Sequence, residues 1–336
     1  MHRILVIGVG SIGERHLRCM KNTGRAQVGL VETNPTLAQD IARKYEVADA
    51  FNNLDDALKQ PWTAAIVCTP APSHVPIAQK LADAGVHLLI EKPFSTTTDG
   101  IDRLISTVRS KKLVAHIAYV YHSHPGLLDM RNAIHSGRYG KPYHAIVISG
   151  QHFPFFRPAY RQIYFTDRAK GGGAIQDSMT HMINAVEWLV GPITRLTCDA
   201  AHQVLDGVTV EDTVNLTARH GSVMSLFAHN MWQMQNETAI TVLCDKGTLR
   251  FEVMNHRWLL MDKINGPWEP HEFGPMERDD WFSRQSNLFV DALEGKGPTS
   301  SPLCTLEEGY QTLRVNLAAL KSTDAGGVPI DLPPAK

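Results

Sequence analysis

Two groups of residues in this chain have types and spacing suited to chemistry. Lys92 stands in Glu91-Lys92-Pro93, directly after the apolar run Val86-His87-Leu88-Leu89-Ile90. Such a run reads as a strand of a parallel sheet, and open α/β sheets bind ligands at the C-terminal ends of their strands. Pro93 biases Lys92 toward extended backbone, which aims its ammonium along the strand's exit. Asp177 and His181 lie four residues apart, after the triplet Gly171-Gly172-Gly173. On a helix an aspartate one turn before a histidine can orient or polarise the imidazole for proton transfer. With Asn184 and Trp188 they form a polar stripe, distinct from the apolar stripe of Ile175, Met179, Met182, Val186 and Leu189. Taken singly, these residues have plainer readings: a lysine at a strand end, a capping aspartate and a packed histidine.

The chain opens on a second signal, Gly8-Val9-Gly10-Ser11-Ile12-Gly13, after the apolar run Ile4–Ile7. Between a strand and a helix, GxGxxG is a dinucleotide fingerprint. Gly8 permits the turn, Gly10 lets backbone approach a pyrophosphate, and Gly13 lets the helix pack closely on the sheet. Ser11 and Ile12 open that helix, whose N-terminal N–H groups and dipole favour phosphate. Glu32 ends the second apolar run, where a carboxylate accepts hydrogen bonds from adenosine ribose hydroxyls and repels a 2′-phosphate. No arginine follows in Thr33-Asn34-Pro35, so the expected cofactor is NAD rather than NADP. Further on, Thr69-Pro70-Ala71-Pro72-Ser73-His74 leaves the run Ala64–Cys68; Ser73 is placed to cap the next helix, and His74 to touch a nicotinamide ribose or to sit on the surface.

The elements that must position these residues follow two rhythms. Over the first ~120 residues the apolar runs Ile4–Ile7, Val28–Val31, Ala64–Cys68, Val86–Ile90 and Leu113–Ala118 alternate with helical stretches. That is the rhythm of a doubly wound parallel sheet covered on both faces. Gly85 ends one of the helices as a C′ glycine. After Tyr121 the chain turns to period-two patterning, as in Thr213–Ala218 and Thr238–Val253, with Asp245-Lys246-Gly247 as a hairpin turn whose glycine takes the left-handed position. Closing helices fall near Asp280–Leu293 and Leu306–Lys321. The expected fold is therefore α/β, an N-terminal Rossmann domain over residues 1–121 and a C-terminal α+β domain over 122–336 with an open, mostly antiparallel sheet.

Lys and Arg number 33 against 34 Asp and Glu, a net charge of -1. That balance gives no footprint for nucleic acid or an anionic membrane. The five scattered cysteines form no CxxC pair, no signal peptide precedes the first strand, and no uncharged run reaches membrane-spanning length, which points to the cytoplasm. The sixteen histidines include no HExxH, and His122 and His124 have no third ligand in view, so no metal site is expected.

These motifs together resemble the glucose–fructose oxidoreductase/inositol dehydrogenase/MocA family of NAD(P)-dependent oxidoreductases. The resemblance runs through the fingerprint, Thr69–His74, Ala84-Gly85-Val86-His87 leading to Glu91-Lys92-Pro93, Gly171–His181 and Thr305-Leu306-Glu307-Glu308-Gly309. It implies Lys92, Asp177 and His181 as the catalytic group, and cofactor contacts from Gly8 to Gly13, at Glu32, Thr69, Pro70, His74, Glu91 and Lys92. A neutral His181 can accept the hydroxyl proton while Lys92 stabilises the developing alkoxide. The chain departs from the family pattern at Met179, where glycine is common, at Asn184, where aspartate is frequent, and at Tyr119–Pro125, an arginine-bearing segment elsewhere in the family. His122 in that segment joins the expected substrate contacts. So do Arg157, Tyr160, Arg161 and Tyr164, in a stretch resembling the arginine- and tyrosine-rich substrate segment of some members.

The resemblance implies a secondary hydroxyl of a sugar, polyol or sugar acid as substrate, and a homodimer or homotetramer as the assembly. A redox-neutral elimination through a transient keto-sugar needs the same site. A non-catalytic nucleotide sensor has no use for Lys92, Asp177 and His181 together.

Overall fold

The computed structural model describes residues 1–296 and 302–333. The chain forms two compact units, one of Met1–Ser123 with Glu277–Tyr310, the other of His124–Met276 with the residues from Gln311 onward.

In the first unit, strands β1 (His2–Ile7), β2 (Ala26–Val31), β3 (Ala50–Phe51), β4 (Ala64–Val67), β5 (His87–Ile90) and β6 (Ala115–Ile117) lie parallel. The short strand Cys304–Thr305 adds an antiparallel edge beside β6. The order is Cys304–Thr305, β6, β5, β4, β1, β2, β3, so the winding reverses between β1 and β4. At that reversal the loops after two neighbouring strands part and leave a crevice, the general ligand position in such sheets. Ile4, Val6, Leu30, Ile66 and Leu89 form the buried core with Leu17 and Met20 of the helix Ser11–Asn22. Gly85 has φ +79° after the helix His74–Asp83, as a C′ glycine should.

A single cut after Tyr121 does not describe this unit. The helix Arg278–Leu293 returns to it and buries Phe289 and Val290 in its core, while Phe282 packs beside Cys19. Asp279 at its start receives Arg15 and Arg18 from the helix Ser11–Asn22, with Arg18 Nε at 2.6 Å. Nothing in local periodicity marks a return across so much sequence.

The second unit holds a nine-stranded sheet. Its strands are β7 (Pro142–His152), β8 (Arg195–Ala201), β9 (Thr213–His220), β10 (Val223–Asn230), β11 (Trp232–Cys244), β12 (Gly247–Glu252), β13 (Arg257–Met261) and β14 (Glu269–Glu272), with Ile330–Asp331 at one edge. The order β14-β13-β12-β11-β7-β10-β9-β8-Ile330–Asp331 is antiparallel at every junction except β7 with β10. Ala145 and Val147 of β7 and Ser225, Phe227 and His229 of β10 are buried on the inner face. The opposite face leaves Ile148, Met224 and Leu226 exposed on the same two strands. Period-two alternation places both sets.

The hairpin at Asp245-Lys246 forms as expected, but Gly247 does not take a left-handed φ. Cys244 pairs with Gly247, which makes the glycine the first residue of β12. A side chain there would stand 3.2 Å from Tyr139, so the glycine serves close packing.

Candidate active site

At the first unit's reversal point, backbone makes the site. Gly8 turns with φ +80°, and a Cβ on Gly13 would lie 1.8 Å from the Gly8 carbonyl oxygen. Only glycine lets the loop close onto its own helix in this way. A Cβ on Gly10, by contrast, would meet nothing within 4 Å, so this face of the loop is open. The helix beginning at Ser11 and Ile12 presents its N-terminus here. Glu32 reaches the same loop: one carboxylate oxygen accepts the Val9 N–H at 3.1 Å, the other the Asn34 N–H at 2.9 Å. A close-packed glycine turn, an open approach and a carboxylate at the second strand's end together fit a dinucleotide.

The neighbouring strand ends are cross-linked by buried side chains. Glu91 is 4% exposed; its Oε1 lies 2.7 Å from His16 Nε2 and its Oε2 accepts the Lys92 N–H at 2.9 Å. His16 belongs to the fingerprint helix, so the glutamate ties the end of β5 to the nucleotide loop. Lys92 is half-buried and its bond to Pro93 is cis. His74 is neither a surface residue nor a cap. It is 1% exposed, with Nε2 2.7 Å from the Thr69 carbonyl and Nδ1 3.0 Å from that of Pro93. Burial pushes its pKa down, and both ring nitrogens face backbone carbonyls. The ring spans the loops after β4 and β5, which makes it a strut for Thr69 and Pro70. Ser73 does not cap the following helix; its hydroxyl donates to the Pro70 carbonyl at 2.7 Å and lies 2.8 Å from Thr69 Oγ1. His122 is wholly buried, with Nδ1 2.8 Å from the Pro302 carbonyl, and offers no open face to a ligand.

In the second unit, side chains make the site. The glycine triplet serves packing: a Cβ on Gly172 would lie 2.3 Å from the Phe165 carbonyl oxygen, and one on Gly173 at 2.3 Å from the Glu211 carboxylate. The sequence reading did not single out Glu211. Its side chain has no exposure, accepts Arg168 Nε at 2.7 Å and the Ile175 N–H at 3.2 Å, and so fixes the start of the helix. That start is a π-turn over Ile175–Met179, followed by α-helix over Thr180–Val190. The C-terminal half of the expected stripe is buried and partnered within the protein. Asn184, aligned by 3.6-residue spacing with Asp177 and His181, is 2% exposed and donates to Thr312 Oγ1 at 3.0 Å. Trp188 is buried as well, with its carbonyl accepting Arg131 Nε. Asp177 and His181 remain half-buried, and Asp177 Oδ1 accepts the Tyr164 hydroxyl at 2.5 Å. Tyr164, one of the expected substrate residues, is thus joined to Asp177, expected as part of the catalytic group.

Others in that segment are held elsewhere. Tyr160 is 1% exposed and its hydroxyl donates to the Asp206 carbonyl at 2.7 Å, which makes it a core anchor with Phe153 and Phe165. Arg161 bonds both the Asp206 carbonyl and its carboxylate at 2.9 Å. Arg157 is half-buried. Sequence reasoning also missed Ser178 and His229, whose bond is 2.6 Å. The signal was present: His229 falls in phase with the inward residues Ser225 and Phe227 of β10. Among the described residues no cluster of His, Cys, Asp and Glu could hold a metal ion.

A model of the oxidoreductase family with an NAD-binding Rossmann fold (Gfo/Idh/MocA) matches residues 2–119, and that of the Gfo/Idh/MocA C-terminal domain matches residues 127–250. Among curated proteins, the chain is 24% identical over 341 residues to the myo-inositol dehydrogenase Hyg17 of Streptomyces leeuwenhoekii, covering 97% of this chain and 99% of that one. Among solved structures, a levoglucosan dehydrogenase in complex with NADH superposes with a TM-score of 0.87 at 18% identity, over 99% of this chain and 100% of that one. The WlbA dehydrogenase of Bordetella pertussis, in complex with NADH and UDP-GlcNAcA, gives 0.81 at 25% identity over 98% of both chains.

Proposed function

This chain belongs to the Gfo/Idh/MocA oxidoreductase family, and on that premise we propose that it oxidises a secondary hydroxyl of a sugar, polyol or sugar acid, or reduces the corresponding ketone. Its cofactor is NAD, for which the Gly8–Gly13 turn and Glu32 have the fit described above. The observation that carries the substrate class is the likeness along nearly the whole chain to a dehydrogenase bound to NADH and a nucleotide sugar acid.

Bound NAD supplies the acceptor for the hydride leaving the alcohol carbon. The protein's task is the proton and the charge. His181 accepts the hydroxyl proton as its neutral imidazole, Asp177 orients that imidazole and stabilises it once charged, and Lys92 stabilises the developing alkoxide. Tyr164, donating to Asp177, holds the carboxylate and stands ready to meet a substrate hydroxyl. Arg157, whose guanidinium can clamp a carboxylate or phosphate, supplies the anion preference of a sugar acid.

Assembly is proposed to use the open face of the nine-stranded sheet. Ile148, Met224 and Leu226 are 44%, 47% and 39% exposed there. An apolar patch on adjacent strands suits a second copy of the chain. Among the described residues no helix is long and apolar enough to cross a membrane. The five cysteines are free and buried, in keeping with the proposed cytoplasmic setting.

The test is a panel of inositols, anhydrosugars, sugar acids and nucleotide sugars assayed for NADH formation. Lys92→Ala and His181→Ala are each expected to lower kcat by about 10²–10⁴-fold. Turnover that survives both substitutions removes the catalytic assignment. Glycoside consumption without net NADH replaces it by the redox-neutral elimination.

A further inference from the structure

We propose that His229, held between Ser149 and Ser178, is a positioning residue that locks the π-turn carrying Asp177; this rests on the catalytic reading of Asp177. The three side chains form one line across the second unit. Ser149 Oγ of β7 lies 2.8 Å from His229 Nδ1, and His229 Nε2 lies 2.6 Å from Ser178 Oγ. His229 and Ser149 are neighbours in the parallel β7–β10 pairing, so the sheet itself fixes the imidazole. Both are buried, at 6% and 3% exposure.

Ser178 is the next residue after Asp177 and lies inside the π-turn. Its hydroxyl also donates toward the Ala174 carbonyl at 3.2 Å and lies 3.4 Å from Met231 Sδ. A hydroxyl has one proton and two lone pairs: the carbonyl and the sulfur can only accept and so compete for the proton, while the imidazole can fill a lone pair, which engages the hydroxyl within the protein. A serine committed to structure here has one evident effect: it fixes the turn from which the adjacent carboxylate projects. π-turns widen a helix by one residue and recur at functional sites. The network also holds a polar imidazole in an otherwise apolar layer, where a satisfied network specifies one arrangement of its surroundings. Burial keeps His229 neutral, with its pKa pushed down to about 4. A neutral ring donates at one nitrogen and accepts at the other, which matches a hydroxyl on each side.

Asp177 is then held from two directions. Tyr164 holds the carboxylate directly at 2.5 Å, and the Ser149–His229–Ser178 line holds the backbone that bears it. A small displacement of a catalytic group costs turnover disproportionately, which gives the second restraint its value.

The test compares wild type, Ser178→Ala, Ser178→Thr, His229→Phe and Asp177→Asn as full-length protein. Amide hydrogen exchange reports the turn without any knowledge of the substrate. Ser178→Ala and His229→Phe are expected to speed exchange at residues 174–181 by about tenfold or more, with strands β7 and β10 little changed, and Ser178→Thr to restore protection. On the best substrate of the panel, Ser178→Ala should lower kcat by about tenfold to 10²-fold at unchanged Kd for NAD, again with rescue by Ser178→Thr. Wild-type exchange over 174–181 in Ser178→Ala overturns the inference, as does a kcat loss that Ser178→Thr does not recover. If Asp177→Asn keeps full turnover, the catalytic reading fails instead, and the exchange data still report whether the line locks the turn.

Discussion

The two ends of the proposed chemistry are built from different materials. At the nucleotide end backbone does the shaping: Gly8 and Gly13 fold a loop so tightly that a Cβ on Gly13 would fall 1.8 Å from a carbonyl oxygen. At the Asp177 end side chains do it, with Glu211, Tyr164, Ser178 and His229 each holding part of one turn. A backbone site tolerates little change at its glycines. A side-chain site can lose one restraint and keep the others. Removing restraints at both ends should therefore give sharp failure at one and graded failure at the other.

The largest effect is expected from Gly13→Ala. The added methyl would collide with the backbone of Gly8 and crowd Cys68 Cβ at 3.2 Å, at a cost of about 1–3 kcal/mol in stability together with loss of measurable NAD binding. Calorimetry and NADH fluorescence titration check both. A variant that binds NAD normally would break the comparison at its stronger end.

Glu211→Gln comes next on stability alone. It leaves Arg168, 35% exposed and still paired with Asp324, beside an uncharged group and weakens the N-terminal tether of the π-turn, for about 1 kcal/mol by denaturant unfolding, well below a fully buried pair because solvent screens the guanidinium. NAD affinity should stay at the wild-type value, because the fingerprint belongs to the other unit.

A change in cofactor preference is expected from Glu32→Ser. The preference for NAD over NADP should fall by about tenfold, the equivalent of one charged hydrogen bond, in parallel titrations with the two cofactors. An unchanged ratio would remove the ribose role of this carboxylate.

The smallest effect concerns pH. Hydrogen bonds from Arg18 and then Arg15 hold the Asp279 carboxyl at about 2, below the ordinary 3.8. A depressed carboxylate pKa stabilises the fold at every pH above the ordinary value, and that stabilisation disappears as pH falls toward 2. The pair is partly exposed, so replacing Arg18 by alanine should move the acid-unfolding midpoint upward by about half a pH unit or less.

The same contrast explains what the sequence disclosed. The glycine fingerprint, the strand-end Glu32 and the C′ Gly85 were legible because backbone geometry demands particular residue types at fixed spacings. Catalytic candidates on the second unit were legible only as types. Their partners lie far off in sequence: Glu211 is 36 residues from the Ile175 amide it caps, and His229 is 51 from Ser178. Asn184 was legible as a member of the stripe, but its partner Thr312 was not, because that residue lies 128 positions away. Tyr160 and His122, expected at the substrate, proved to be buried anchors because an aromatic or imidazole side chain serves either purpose equally well.

The return of Glu277–Tyr310 to the first unit governs how this protein can be taken apart and recombined. A fragment ending at Ser123 would lack Phe289, Val290 and the edge strand Cys304–Thr305, exposing the apolar surface they cover. The unit boundary after Tyr310 falls inside the helix Leu306–Asp324. A chimera made to exchange substrate preference must therefore be spliced as an insertion, with residues 124–276 replaced as a block. The tail from Gln311 has to be exchanged with it, so the graft has three junctions where a two-domain chain ordinarily needs one.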